Sequence, residues 1–118
     1  MSEPTQAQIK EHHARVRALG CIVHGCPEPT IHHCHSGSLA DAGWTRGVAQ
    51  RGVSEALVIP ICLEIHSAGR YAIDGGYGVR SWERRFGKQM DYLLEVGEAL
   101  GYNLFDLARE WGYSKDGR

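Results

Sequence analysis

The sequence predicts a small α+β domain in which helices at both ends flank a centre of short strands and loops. Two observations predict this division. Apolar residues recur at helical spacing near the amino terminus and through the last third of the chain, whereas most of the 15 glycines lie between Gly20 and Gly87. The 118 residues correspond to one domain, which we divide into an amino-terminal helix (1–20), a central region (21–80) and carboxyl-terminal helices (81–118).

Composition limits the environment and the partners of the chain. No apolar run is long enough to cross a bilayer and residues 2–6 are polar, so we expect a cytosolic protein without a membrane partner. In that reducing compartment the four cysteines are expected to be metal-binding thiolates rather than disulfides. The net charge is −1, so binding to nucleic acid would depend on a local basic surface.

The first predicted element is an amphipathic helix over residues 5–19. Pro4 suits its first turn, and Gly20 follows its last apolar residue. His12 and His13 point about 100° apart on this helix, because successive helical residues are separated by that angle. We interpret both as structural histidines rather than as ligands.

A cysteine pair follows the helix. Cys21 begins a predicted strand that leads to a tight turn at Cys26, and two cysteines at this spacing can bring both sulfurs to one tetrahedral ion. His24, between them, is a competing ligand.

A second predicted strand covers residues 31–35 and carries three histidines and Cys34. His32 and His33 face opposite sides of a regular strand, so one can hold a metal while the other addresses a substrate only if the strand is irregular.

Residues 36–53 form a predicted loop rich in glycine. Long loops in compact domains are usually functional or disordered. Arg46, Arg51 and an exposed Trp44 suit contact with a phosphate backbone, although the loop equally suits a flexible cover.

The strand predicted over residues 55–59 is ended by Pro60. Cys62 and His66 then lie on one face of a helix if the helix begins near Pro60 or Cys62. A turn rich in glycine over residues 67–78 contains Asp74.

From Ser81 onward the pattern is helical, with stops at Gly87 and Gly101 and a last helix that starts at Asn103 or Asp106. Four cations give this region a basic side that can help to seat DNA: Arg80, Arg84, Arg85 and Lys88.

Metal binding is therefore the first functional hypothesis. Cys21, Cys26 and the stretches 30–35 and 59–66 supply eight cysteines or histidines within 46 residues. The alternative that the cysteines are merely buried free thiols is less favoured, because all four of them would need that explanation.

These residues also occur in a recognisable order. Cys-x4-Cys at Cys21 is followed by His32-His33, a glycine-rich loop, Pro-x-Cys-x3-His at Pro60 and Trp-Glu-x2-Phe-Gly at Trp82. This order resembles the phage and prophage HNH-type nucleases related to the recombination enhancement (Ref) nuclease. The similarity extends from about Cys21 to Gln89.

The resemblance implies a ββα-metal, treble-clef-like core stabilised by Zn²⁺. It further implies that His32 and the helix-borne His66 hold a catalytic divalent ion (Mg²⁺, Mn²⁺ or Zn²⁺), with His33 as the general base. Asp74 falls roughly where relatives often carry another histidine and is included among the metal ligands. DNA is the implied substrate in a bacterial host cell, and a recombinase filament is a further implied partner.

One departure from the family concerns the structural zinc site. Many relatives have two adjacent histidines after the cysteine, whereas this chain has Ile65-His66. Cys21, Cys26 and Cys62 would be three zinc ligands, with the fourth from Cys34, His24 or His66. We favour Cys34 or His24, because His66 then remains available for the catalytic ion.

The leading functional hypothesis is thus a metal-dependent DNA endonuclease or nickase. Its phosphate contacts would come from Arg46, Arg51, Arg80 and Arg84. The alternative is a zinc-stabilised module that binds nucleic acid or protein without catalysis, which the missing second histidine and the absence of net positive charge favour.

Overall fold

The computed structural model describes residues 3–44 and 54–112. In this part of the chain five α-helices surround a two-stranded antiparallel sheet, which confirms the predicted α+β class. The elements in chain order are α1 (Gln6–Arg17), β1 (Thr30–His33), α2 (Gly37–Asp41), β2 (Val58–Ile61), a π-helical turn (Glu64–Ala68), α3 (Val79–Phe86), α4 (Gln89–Leu100) and α5 (Leu104–Glu110). The described helices include none that is both long and apolar enough to span a membrane.

Helix α1 begins at a capping box. The Thr5 hydroxyl accepts the Gln8 amide proton at 3.1 Å, and the Gln8 side chain accepts the Thr5 amide proton at 2.7 Å. The helix ends at Arg17, two residues earlier than predicted. The reason is that the last turn tightens, with the Gly20 amide bonded to the Arg17 carbonyl and Gly20 at a φ of 79°.

The sheet pairs Thr30 with Ile61 and His33 with Val58. Pro60 lies inside β2 and does not end it, contrary to the prediction. Its carbonyl accepts the Ile22 amide proton at 2.9 Å, away from β1. Because the N and O atoms of one strand residue point to the same side, the missing N–H of Pro60 costs β1 no hydrogen bond.

The segment from Cys21 to Cys26 is a turn and not the predicted strand. The Cys21 amide donates to the Cys26 carbonyl and the Gly25 amide to the Cys21 carbonyl, both at 2.9 Å. Gly25 adopts a φ of 74°, which glycine reaches without steric cost. The hydrogen bond from Ile22 to Pro60 attaches this turn to the edge of β2.

The predicted loop after β1 contains helix α2. Trp44, which we expected to be exposed, is only 4% exposed, and its ring lies 5.2 Å from the Phe105 ring. It is buried because α2 returns the chain to the core, where the large indole removes apolar surface from water. Residues 45–53, with Arg46 and Arg51, lie outside the described ranges.

The helix stops predicted at Gly87 and Gly101 are confirmed, whereas α3 begins at Val79, two residues before the predicted Ser81. Gly87 ends α3 and Gly101 ends α4 in a left-handed conformation with a φ of 85°. Asn103 caps α5 by accepting the amide protons of Phe105 and Asp106. Helices and sheet enclose one core, whose fully buried members include Val16, Leu39, Leu57, Ile59, Trp82, Leu93, Val96 and Leu104.

Candidate metal centres

Three imidazoles converge on the carboxylate of Asp74. His32 Nδ1 and His66 Nε2 lie 3.2 and 3.1 Å from Asp74 Oδ2, and His35 Nε2 lies 2.9 Å from Oδ1. His32, His66 and Asp74 were predicted as metal ligands, and the fold brings them together. His35 was not predicted as a ligand, and the sequence signal for it was its place among the three histidines of residues 31–35.

Backbone hydrogen bonds hold Asp74 next to His66. The amides of Ile73 and Asp74 donate to the carbonyls of Ile65 and His66, each at 2.9 Å. The Trp82 indole N–H also donates to the Ile65 carbonyl at 3.1 Å. The glycine-rich turn is thereby folded back on the π-helical turn, which brings the two side chains into contact.

His32 is completely buried, and hydrogen bonds define which of its nitrogens carries a proton. Its Nε2 lies 3.0 Å from Gln89 Oε1. The Gln89 amide orientation follows from its neighbours, because Oε1 accepts the His35 amide proton and Nε2 donates to the His35 carbonyl. Nε2 of His32 therefore donates to Gln89, and in a neutral ring Nδ1 presents a lone pair to Asp74.

His66 is fixed in the same way by Thr30. The Thr30 hydroxyl has one proton, which it donates to the Ile61 carbonyl at 2.9 Å. Its oxygen must then accept from His66 Nδ1, which is 2.7 Å away. Nε2 of a neutral His66 consequently presents a lone pair to the same carboxylate oxygen.

A lone pair on an imidazole nitrogen repels a carboxylate oxygen that it faces. His32 Nδ1 and His66 Nε2 can therefore lie close to Asp74 Oδ2 only if a cation lies between them or each of these nitrogens carries a proton. Burial lowers the pKa of His32, so the neutral form of this ring is favoured despite Asp74. Burial of Asp74 alone would raise the pKa of its carboxyl, but its close contacts with His32, His35 and His66 bring that pKa far below its usual range. A neutral His32 has no proton left for Asp74, and a divalent ion satisfies both groups at once.

The donor set indicates the kind of ion that fits. Imidazoles and one carboxylate suit Zn²⁺ and other divalent transition metals, whereas Mg²⁺ prefers oxygen ligands and water. The His32–His35–Asp74 group has its ligand atoms within 4.8 Å of one another. These residues can therefore hold a metal ion, with His66 at the same carboxylate.

A hydrogen-bond network of the half-buried Glu83 and the buried Gln89 holds His32 and His35 in place. Glu83 accepts hydrogen bonds from the Ser38 amide, the Ser38 hydroxyl and the Gln89 amide, between 2.5 and 2.9 Å. Gln89, which is completely buried, then bonds His32 and His35. Neither Glu83 nor Gln89 was predicted as a site residue, although a glutamine at the start of an apolar helix was a signal for a buried polar role.

The second group consists of the sulfurs of Cys21, Cys26 and Cys62, which all lie within 4.8 Å of one another. Cys21 Sγ accepts the amide protons of His24 and Cys62 at 3.2 and 3.3 Å. The structure joins Cys26 and Cys62 in a disulfide, contrary to the thiolates that we expected. The sulfurs meet because the Cys21–Cys26 turn is bonded to β2, which leads directly into Cys62.

None of the three candidates for a fourth zinc ligand joins this sulfur group. His66 faces Asp74, so Cys62 and His66 serve different groups although they lie four residues apart. The His24 ring packs against Phe86. Cys34 is 2% exposed, and burial raises the pKa of its thiol well above the ordinary value, which disfavours the thiolate that a metal needs.

His33 lies on the opposite face of β1 from His32, as the alternation of a regular strand requires. Its Nε2 is 2.7 Å from Glu55 Oε1, and its ring is 5.5 Å from the His13 ring. His13, His33 and Glu55 form a third group of potential ligands. Glu55 was not predicted as a site residue, because it lies 22 positions from His33 along the chain and no local pattern indicates their contact.

The two predicted DNA-binding arginines within the described ranges have different surroundings. Arg80 makes a two-pronged ion pair with Asp41 at 2.6 and 2.8 Å, so its charge is largely compensated. Arg84 is exposed and donates to the Ser81 hydroxyl at 3.1 Å. Arg85 lies over the Tyr71 ring at 3.8 Å.

Comparisons of the chain with models of protein families, with curated proteins and with solved structures gave no match.

Proposed function

We propose that the chain is a metal-dependent endonuclease that hydrolyses phosphodiester bonds in DNA. The observation that carries this proposal is the convergence of His32 and His66 on Asp74, with the hydrogen bonds to Gln89 and Thr30 turning a lone pair of each ring inward. The order of motifs that resembles HNH-type nucleases supports the same activity.

The residues His32, His66 and Asp74, with His35, would hold the ion. A divalent ion in this position supplies Lewis-acid stabilisation of a phosphate oxygen and of the leaving oxygen. Gln89 and Thr30 keep the two rings oriented, as hydrogen-bond partners of metal ligands commonly do.

His33 is the proposed general base. Its Nε2 donates to Glu55, which leaves Nδ1 with a lone pair that can accept a proton from the attacking water. The Glu55 carboxylate then stabilises the charged imidazolium.

Contacts to the DNA backbone would come from the exposed cations near α3. Arg84 and Lys88 are exposed, and α3 is linked to the metal group through Glu83 and Gln89. Arg80 would contribute less, since Asp41 already compensates its charge.

The test is nicking of supercoiled plasmid by the purified chain with Mn²⁺, Mg²⁺ or Zn²⁺, with chelator as a control. Replacing His33 by Ala removes the base and should reduce the rate by about 10²- to 10⁴-fold without loss of the ion held by His32, His66 and Asp74. His24→Ala is the matched control, because the exposed His24 ring belongs to none of the three ligand groups. Full activity of His33→Ala would exclude the assigned role.

A second candidate function is a metal-stabilised module that binds nucleic acid without cleaving it. The observation that favours this candidate is that His32 and His33 point to opposite faces of β1 and contact different carboxylates. Binding of plasmid in a mobility-shift assay without nicking under any of the three ions would support the module and exclude the nuclease.

A further inference from the structure

A second set of nitrogen and oxygen ligands lies on the other face of the sheet from Asp74. His13 comes from α1, His33 from β1 and Glu55 from the segment that precedes β2. His33 Nε2 and His13 Nε2 lie 2.7 and 3.4 Å from the same oxygen, Glu55 Oε1. Three separate parts of the chain thus deliver one ligand atom each to a common point.

These separations fit a transition-metal ion. Ligand atoms bound tetrahedrally at zinc distances lie roughly 3.4 Å from one another. His13 Nε2 and Glu55 Oε1 already lie 3.4 Å apart. His33 Nε2 and Glu55 Oε1 lie 2.7 Å apart, which is a hydrogen-bond distance. These two atoms need only separate to roughly 3.4 Å to bind the same ion. Two imidazoles and one carboxylate form a donor set that prefers Zn²⁺, Co²⁺ or Ni²⁺ to Mg²⁺.

The three ligand atoms are accessible from solvent, and both imidazole rings can release Nε2 for a metal ion by moving their proton to Nδ1. The side chains of His13, His33 and Glu55 are 13%, 34% and 43% exposed, so an ion can enter from solvent. Among the described residues, none makes a hydrogen bond to Nδ1 of His13 or His33. Each ring can therefore move its proton from Nε2 to Nδ1 when Nε2 binds a metal, which in His13 replaces the hydrogen bond that Nε2 makes to the Glu55 backbone carbonyl at 3.0 Å.

We propose that His13, His33 and Glu55 form a separate transition-metal site whose occupation inhibits the chain. An ion on His33 Nε2 requires the proton on Nδ1, and this removes the lone pair that would accept a proton from water. Binding also withdraws the Glu55 carboxylate from His33. The inhibitory part of this inference rests on the proposed function, whereas the existence of the site does not.

The site itself is tested by counting bound metal. Reduced, metal-free chain is equilibrated with excess Zn²⁺, dialysed against a weak chelator and measured by elemental analysis, as wild type, Glu55→Gln and His13→Ala. Glu98→Gln, which alters an exposed carboxylate on α4, is the matched control. We expect both site variants to retain one zinc fewer per chain than the wild type and the control.

Equal zinc content in the wild type and Glu55→Gln would overturn the site, and so would a loss that His13→Ala does not share. Glu55→Gln preserves the shape of the side chain, and far-ultraviolet circular dichroism reports whether each variant is folded.

Inhibition is tested separately by nicking with Mn²⁺ in the presence of increasing Zn²⁺. The quantity compared is the ratio of rates with and without Zn²⁺ within each protein. We expect the wild-type rate to fall at least tenfold and the His13→Ala rate to change much less. An equal fall in both would mean that Zn²⁺ acts elsewhere and would overturn the inhibitory role. If no protein nicks DNA, the nuclease proposal fails while the zinc count still decides the site.

Discussion

At the scale of single residues, the histidines differ in what their second ring nitrogen contacts. His66 has Thr30 behind it and His32 has Gln89, and both present their other nitrogen to Asp74. His33 instead directs Nε2 to Glu55 and has Nδ1 free of hydrogen bonds from the described residues. The hydrogen-bond partner of one ring nitrogen therefore determines which lone pair each histidine can offer to a metal ion or a proton.

Replacement of Thr30 by Val should weaken metal binding at Asp74, because it removes the acceptor that keeps the proton of His66 on Nδ1. Loss of such a partner typically costs about 10- to 100-fold in metal affinity. The measurement is zinc competition with a chromophoric chelator in a Cys21→Ser background, which removes one sulfur ligand. Thr30→Ser retains the hydroxyl and should bind zinc as the parent does. Equal affinity of the Val and Ser variants would contradict the assigned tautomer.

At the scale of elements, the four-residue strand β1 separates two groups of potential metal ligands, one on each of its faces. Its alternation sends His32 to the buried side and His33 to the half-exposed side. The segment that follows β1 is held by Gln89, the first residue of α4, which in turn is bonded to Glu83 on α3. The positions of His32 and His35 next to Asp74 thus depend on the mutual packing of β1, α3 and α4.

Replacement of Gln89 by Met should destabilise the metal-free chain by about 2 to 5 kcal/mol. The change keeps the side-chain volume but leaves the His32 ring N–H and the His35 backbone groups without partners, and each buried unpaired group costs about 1 to 3 kcal/mol. Urea denaturation in the presence of chelator gives the free energy of unfolding. Gln6→Met, the same change at an exposed site on α1, should alter it by less than about 0.5 kcal/mol. A similarly small effect at Gln89 would show that the network does not stabilise the fold.

At the scale of the whole molecule, the ligand groups cross-link distant parts of a small chain. The sulfur group joins the Cys21–Cys26 turn to the residue after β2, and the Asp74 group joins β1 to the glycine-rich turn. Zinc and the Cys26–Cys62 disulfide exclude each other in the sulfur group, because the thiolate is the metal ligand.

Zinc content should therefore depend on the redox state of the chain. Chain reduced before zinc is added should retain one zinc more than chain in which the disulfide is kept, and its unfolding temperature should be higher because the ion binds only the folded state. Elemental analysis together with a count of free thiols gives this comparison. Cys34→Ala, outside the sulfur group, should retain the additional zinc. Identical zinc content in both redox states would exclude the sulfur group as a zinc site.

Local sequence patterns were sufficient to predict the α+β class, the helix stops at Gly87 and Gly101, and five members of the ligand groups, namely Cys21, Cys26, Cys62, His32 and Asp74. These features depend on residues a few positions apart, since caps, stops and apolar periodicity act locally. Which of the potential ligands contact one another depends on the tertiary packing. His66 contacts Asp74 and not Cys62, Cys34 is excluded, His35 is included, and Glu55 contacts His33.

The physical reason is that these contacts join residues between 8 and 42 positions apart, through the folding of turns and the packing of helices on the sheet. Trp44 illustrates the same limit, because an indole in a glycine-rich stretch carries no local signal of burial until α2 and Phe105 enclose it. Spacing along the chain identified some of the potential ligands, and the packing of the elements added His13, His35 and Glu55 and distributed all of them among separate groups.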